Sequence, residues 1–155
     1  MLDCDEHGGN GTEEFAARLP NLNAVSIFGT RFGCRGGVRS WAFHLTREQG
    51  AARYLDMLGQ VDALMDELLP DLLVYQAGVD CHRDDPKNRL GLSTRDLFQR
   101  DLTVFRMARR RGVPILFVLA GGYQSADKVA RLNANTVRAA RIARTETMPA
   151  PANTA

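Results

Sequence analysis

Hydrophobic side chains fall into short runs separated by longer amphipathic stretches, and the order is clearest after Pro70. Residues 71–77 and 113–119 are nearly continuous apolar runs, which is typical of strands buried on both faces of a parallel sheet. Residues 94–111 and 127–143 carry apolar side chains at the three- and four-residue steps of helices. This part of the chain therefore predicts strand, helix, strand, helix.

Upstream of Pro70 the same two patterns recur. Residues 48–69 predict a helix, while residues 23–28 and 40–45 predict two more strands, the second at an edge of the sheet. Residues 2–5 resemble the end of a further strand. We therefore expect an α/β fold of three layers, with helices on both faces of a mainly parallel sheet.

The position of the predicted first strand bears on the expected N-terminal boundary of the domain. A chain seldom opens inside a central strand, so we expect the N-terminal part of the domain to be missing. Residues 1–144 would then form the C-terminal half of a domain. Residues 145–155, with Pro149 and Pro151 and little to bury, predict a flexible tail.

Composition narrows the class of protein further. The 155 residues suit one domain, and a formal charge of +2 gives no basic surplus for direct nucleic-acid binding. No run approaches the roughly 20 apolar residues of a membrane span, and the N-terminus lacks the pattern of a signal peptide, which favours a cytoplasmic protein. The three cysteines show no CxxC spacing, so any metal would be held by carboxylates or imidazole.

Two carboxylates and an imidazole alternate near the N-terminus. Asp3, Asp5 and His7 would share one face of an extended segment, where they repel or desolvate one another unless a cation neutralises them. Oxygen and imidazole ligands suit a divalent metal such as zinc, and the glycines at 8, 9 and 11 allow a tight turn around it. The alternative is a surface turn with scattered charges, and we favour the metal.

Two later motifs fall at the same predicted edge of the sheet. Asp80 follows the strand at 71–77 and is a natural third ligand, whereas Asp84 and Asp85 are better explained as turn residues and His82 is not assigned. Tyr123 follows two glycines after the next strand. Its phenol could donate to a developing oxyanion, or it could simply cap a loop.

Three motifs together resemble the C-terminal half of the histone deacetylase superfamily, including its acetoin-utilisation and acetylpolyamine amidohydrolase members. They lie at residues 2–12, 77–80 and 119–123. The resemblance implies an arginase/deacetylase-like fold. It also implies a zinc-dependent hydrolase that uses metal-activated water to remove an acetyl or other acyl group from an acylated amine, either acetyl-lysine or acetylpolyamine.

The resemblance assigns roles to individual residues. It implies that Asp5, His7 and Asp80 bind Zn²⁺ and that Tyr123 polarises the scissile carbonyl. It further implies a K⁺ site with Asp3, Ser26 and Ile27. It places Gly9, Gly121 and Gly122 in active-site loops, and Phe32 in a substrate tunnel.

One departure from the family bears on activity. The family's general base is a pair of adjacent histidines upstream of the first motif, and this chain has only His7, His44 and His82. General acid–base catalysis contributes about 10²–10⁴ in rate, so we expect the isolated chain to be weak or inactive. One alternative is a catalytically inactive remnant that binds a metal or a partner. Another is a ureohydrolase-like enzyme with two metals, which the loop after Asp80 disfavours. The oligomeric state is left open.

Overall fold

The computed structural model describes residues 1–147. Within these residues five strands form a single sheet, and four helices form layers against it. The strands are β1 (Leu2–Asp3), β2 (Ala24–Phe28), β3 (Ser40–His44), β4 (Leu73–Gln76) and β5 (Ile115–Val118). The helices are α1 (Asn10–Arg18), α2 (Gly50–Leu68), α3 (Thr94–Arg110) and α4 (Ala126–Thr145), and a 3-10 turn at Arg47–Gln49 precedes α2.

All five strands are parallel and lie in the order β3-β2-β1-β4-β5. The two-residue strand β1 is therefore central, with Leu2 opposite Val25 on one side and Tyr75 on the other. β3 is an edge strand, as the sequence predicted. In a parallel sheet all carboxyl ends meet at one edge, so the loops after β1, β4 and β5 are neighbours.

The main hydrophobic core lies between one face of the sheet and helices α2, α3 and α4. The register places Leu2, Val25 and Tyr75 on this face, where they join Leu58 of α2 and Phe105 of α3 in one buried cluster. Helix α1 contacts β2 and β3. It packs on the opposite face, so the sheet lies between two helical layers, as predicted.

Strand β5 differs from its prediction. Leu116 and Val118 are 55% and 40% exposed, although residues 113–119 predicted a strand buried on both faces. β5 lies at one edge of the sheet, whereas the strands β2 and β3 that α1 contacts lie toward the other edge. A continuous apolar run does not reveal which of its faces the rest of the chain will cover.

Two helices show what local signals could and could not predict. Helix α1 begins directly after Gly9, in a stretch that was predicted as a turn. The glycines of this stretch favoured a turn and so concealed the short helix. Helix α3 begins where predicted: Ser93 Oγ accepts from the Asp96 amide at 3.1 Å, and the Asp96 carboxylate accepts from the Ser93 amide at 2.9 Å. It ends before Gly112, whose φ of +66° suits glycine.

The C-terminal part of the chain is helical to Thr145, and Glu146 then forms an ion pair with Arg106. The rest of the predicted tail, residues 148–155, lies outside the described residues. None of the helices within residues 1–147 combines the length and the apolar character that crossing a membrane requires.

Candidate metal site

The loops that follow β1, β4 and β5 carry the candidate site at the carboxyl edge of the sheet. Asp5 and His7 lie just after β1, Asp80 lies four residues beyond the end of β4, and Tyr123 lies beyond β5. The structure thus brings together residues separated by more than seventy positions, 73 in the case of His7 and Asp80.

Three side chains converge on one point. Nδ1 of His7 lies 3.1 Å from Oδ1 of Asp5 and 3.1 Å from Oδ2 of Asp80. One ligand atom from each residue falls within 4.8 Å of the other two. Ligands at about 2.0–2.1 Å from a tetrahedral zinc ion would be roughly 3.3–3.5 Å apart, so small adjustments would suffice to admit the ion.

Burial makes this cluster electrostatically unfavourable by itself. Burial and, after it, the charge of Asp5 raise the pKa of Asp80 to about 7. Burial alone would lower the pKa of His7, but its hydrogen bond with Asp5 and the charge of Asp80 outweigh that effect and raise it. The site therefore favours a positive charge among its carboxylates, either a proton or a cation.

Backbone amides orient the carboxylates. The His7 amide donates to Oδ1 of Asp5 at 2.9 Å, and the Glu6 amide donates to Oδ1 of Asp80 at 2.9 Å. The Asp5 amide in turn donates to Oδ1 of Asp3 at 3.0 Å. Each of the three carboxylates is thus fixed by the same short segment that follows β1.

The residues that the resemblance assigns to a monovalent cation lie on two neighbouring strands beneath the cluster. Asp3 is in β1, and Ser26 and Ile27 are in β2. Asp3 is buried, and burial raises its pKa to about 7. Ser26 Oγ accepts from the Gly9 amide at 3.2 Å. The side chain of Ile27 is in the core, which leaves only its backbone as a possible ligand.

Glycines allow the loops to approach the carboxylates. A Cβ at Gly121 would collide with the carboxylates of both Asp5 and Asp80. A Cβ at Gly9 would lie 2.6 Å from Oδ2 of Asp3. Only glycine fits at these two positions without moving a carboxylate.

Two aromatic rings flank the open side of the cluster. Tyr123 and Phe32 each make an edge-to-face contact with His7, at centroid distances of 6.2 and 6.0 Å. They are 52% and 67% exposed. Gly122, which precedes the tyrosine, fits closely against Val79 and Val129, where an added Cβ would lie 3.0 Å from each side chain.

Two acidic residues have roles near the cluster that their sequence positions did not predict. Asp85 was predicted only as a turn residue, and it does accept from the Lys87 amide at 2.9 Å, but its Oδ2 also accepts from the Tyr123 amide at 2.8 Å. Glu6 is fully buried on the far side of the β1 segment and accepts from Thr30 Oγ1 at 3.1 Å. The alternation of side chains along an extended segment places Glu6 on the opposite face from Asp5 and His7, and this pattern could have indicated its buried position.

The other two histidines are engaged elsewhere. Nε2 of His82 lies 3.0 Å from Thr94 Oγ1, and Nε2 of His44 lies 3.0 Å from the Gly29 carbonyl oxygen. His7 is the one imidazole that reaches the carboxylate cluster within residues 1–147. His82, which was not among the predicted ligands, lies outside the cluster and contacts Thr94.

Comparisons with known proteins agree with this architecture. Residues 1–140 match the family model described as "Histone deacetylase domain". The chain is 35% identical to histone deacetylase 2 of Arabidopsis thaliana over 144 residues, and 26% identical to acetylpolyamine amidohydrolase 1 of Pseudomonas aeruginosa over 137 residues. The chain therefore belongs to the histone deacetylase family.

The comparisons also describe the fold and the extent of the match. A solved acetylpolyamine aminohydrolase from Burkholderia pseudomallei superposes with a TM-score of 0.74 at 22% identity, covering 92% of this chain. This likeness confirms the predicted deacetylase-like α/β fold. The matches span 36% of the Arabidopsis protein, 38% of the Pseudomonas protein and 43% of the Burkholderia chain. The chain thus spans about two fifths of these relatives.

Proposed function

We propose that the Asp5–His7–Asp80 cluster binds zinc and forms part of a hydrolase that removes an acetyl or other acyl group from an acylated amine. Acetyl-lysine and acetylpolyamine are the substrate classes that the family membership supports. The observation that carries the proposal is the convergence of two carboxylates and one imidazole on a single point with an open side.

The donor set suits a catalytic rather than a structural metal. Three protein ligands leave one position of a tetrahedral zinc ion for water or substrate, and the open side lies between Tyr123 and Phe32. When bound, zinc lowers the pKa of water and acts as a Lewis acid. The raised pKa of Asp80, caused by burial and by Asp5, shows the imbalance of charge that such a cation would relieve.

Tyr123 would act on the substrate carbonyl. Slight burial, followed by the charges of Asp80 and Asp5, raises the pKa of its phenol. The hydroxyl therefore stays protonated at neutral pH and can donate a hydrogen bond to an oxygen that gains negative charge. Asp85 holds the Tyr123 amide and so limits where the ring can lie.

The surrounding residues complete the proposal. Asp3, Ser26 and the backbone of Ile27 would hold a potassium ion beneath the ligands, where the buried carboxylate of Asp3 provides the negative charge. Phe32 would line the entrance for the acyl chain, since its exposed ring contacts the imidazole of His7.

A second candidate function is metal binding without turnover. His44 and His82 are both hydrogen-bonded away from the cluster. Within residues 1–147 no second imidazole is therefore placed to move a proton at the open side. A ureohydrolase-like pair of metals is less well supported, because the second ligand loop offers Asp80-Cys81-His82 rather than a pair of aspartates two positions apart, and His82 is hydrogen-bonded to Thr94.

Acyl hydrolysis by the purified chain distinguishes these functions. We would measure acetate release from an acetyl-lysine peptide and from an acetylated diamine, with wild type, Tyr123→Phe and the control Asp84→Ala. Turnover that Tyr123→Phe lowers by about 10²–10³ and Asp84→Ala retains supports the deacetylase. Zinc binding without turnover supports the second function. Turnover that withstands both zinc removal and Tyr123→Phe would contradict the proposal.

A further inference from the structure

The two segments that carry the candidate ligands leave the sheet just before the cluster. Regular pairing between β1 and β4 extends to Asp3 and Gln76, and one more bond joins the Cys4 amide to the Gln76 carbonyl oxygen at 3.0 Å. Beyond this point no regular strand pairing joins the segments that carry Asp5 and Asp80. The bond from the Glu6 amide to Asp80 Oδ1 links them through a side chain, so contacts between their backbones must come from elsewhere in the fold.

Arg100 of α3 lies where that contact is needed. Its side chain is fully buried, and Nη1 donates to the carbonyl oxygen of Cys4 at 3.0 Å and to that of Gly78 at 2.7 Å. The first carbonyl immediately precedes Asp5, and the second lies two residues before Asp80. One nitrogen atom thus joins both ligand segments after the sheet hydrogen bonds have ended.

The guanidinium is itself held by Asp101, whose carboxylate is fixed in turn by two other elements. Its Nε donates to Oδ1 of Asp101 at 2.9 Å, and Nη2 lies 2.8 Å from the same oxygen. Asp101 also accepts from the Tyr75 hydroxyl of β4 at 2.5 Å and from Thr136 Oγ1 of α4 at 2.7 Å. The counter-charge offsets the desolvation of the guanidinium, and the planar fork fixes its direction.

The ligand segments that Arg100 joins are in direct contact. A Cβ at Gly78 would lie 2.5 Å from Oδ2 of Asp5, so even a small shift of the Gly78 backbone would displace that carboxylate. Because interiors are tightly packed, a change in the spacing of the Cys4 and Gly78 carbonyls is transmitted to the ligand atoms.

We propose that Arg100 is a positioning residue for the metal site: its bonds to the carbonyl oxygens of Cys4 and Gly78 set the spacing of the ligand segments and thereby the affinity for the metal. This inference rests on the proposed zinc site and adds a residue that contacts neither the ligand side chains nor the open side. A purely structural role would stabilise the core without changing metal affinity.

The test compares two variants that disturb the same buried network differently. Arg100→Lys keeps the charge but loses the planar guanidinium, whose Nε and Nη2 face Asp101 while Nη1 reaches both carbonyls. Thr136→Val removes one bond to Asp101 and leaves the contacts with Cys4 and Gly78 in place. For each protein we would measure the zinc Kd by chelator competition, the visible spectrum of the Co²⁺ form and the metal-free Tm.

We expect Arg100→Lys to weaken zinc binding by about 10- to 100-fold, the range found when groups that orient metal ligands are removed, and to alter the Co²⁺ spectrum. Thr136→Val should lower Tm while leaving the zinc Kd within about twofold of wild type. Equal losses of affinity in both variants, or an unchanged Kd in Arg100→Lys, would overturn the proposal. Failure of wild type to bind zinc would instead contradict the metal site itself.

If Arg100→Lys does not fold, the wild-type protein provides the second measurement. The side-chain Nε resonance of Arg100 should shift when zinc is added, whereas that of Arg111, which pairs with Asp62 and Asp66 on α2, should not. A zinc-bound protein in which the Arg100 resonance does not move would count against a link between the guanidinium and the metal.

Discussion

The backbone amide of Glu6 donates a 2.9 Å hydrogen bond to Oδ1 of Asp80, a residue 74 positions further along the chain. This bond leaves Oδ2 of Asp80 directed at Nδ1 of His7, 3.1 Å away. The segment after β1 therefore carries two of the candidate ligands and also orients the third. The cluster is assembled by the protein before any metal is added, which lowers the entropy lost on binding one.

Asp80→Asn should stabilise the metal-free protein at alkaline pH. Burial raises the pKa of Asp80 from 3.8 to about 7, so the folded state binds this proton more tightly than the unfolded state does. Folding is consequently penalised as the pH rises between those two values. We expect a Tm at least about 3 °C above wild type at pH 8 in the presence of a chelator, since 1 kcal/mol corresponds to about 2–4 °C at this size.

The same variant provides its own controls. At pH 4 the two proteins should melt at nearly the same temperature, because Asp80 is then protonated in the folded protein. Added zinc should raise the Tm of wild type and not that of Asp80→Asn. A difference in Tm that is independent of pH would show that the Asp80 carboxylate is not under electrostatic strain.

Gly121→Ala should abolish metal binding with little loss of secondary structure. The added methyl would collide with the carboxylates of Asp5 and Asp80 and force them apart. The matched control is Gly59→Ala in α2, where a Cβ meets nothing within 4 Å. That control should bind zinc normally and gain about 0.5–1 kcal/mol in stability, as Gly to Ala does inside helices. Circular dichroism and zinc titration of both variants check this, and normal zinc binding by Gly121→Ala would be the contrary result.

Tyr123→Phe should separate binding from chemistry. The ring is half-exposed and its hydroxyl is no part of the carboxylate cluster, so Tm and zinc Kd should change little. Hydrolysis, where it is measurable, should fall by about 10²–10³, as it does when one hydrogen bond to an oxyanion is lost. Steady-state kinetics with an acetylated substrate measure this. A variant that retains full turnover would remove Tyr123 from the reaction.

The sequence predicted the fold through its strongest local patterns. The apolar runs and amphipathic stretches located all five strands and three of the four helices. The exposed outer face of β5 could not be predicted, because burial on that face depends on which elements cover it. Helix α1 was missed because Gly9 and Gly11 favoured a turn.

The sequence predicted the candidate ligand side chains of the site but not the residues that hold them in position. Alternation after β1 and the position after β4 drew attention to Asp5, His7 and Asp80, whose donor chemistry is visible in the sequence. The roles of Asp85 and Arg100 depend on contacts that only the folded chain creates, such as the bond from Arg100 to the Cys4 carbonyl across 96 positions. No local spacing encodes such a contact.

Calorimetric titration of zinc into the metal-free chain tests the central claim most directly. Wild type should bind one equivalent, and Asp84→Ala, which removes an exposed carboxylate of the same loop, should bind it equally well. Asp80→Ala should bind at least 100-fold more weakly while remaining folded. A folded wild-type protein that takes up no zinc, or an Asp80→Ala variant that binds zinc as tightly as wild type, would contradict a metal site built from Asp5, His7 and Asp80.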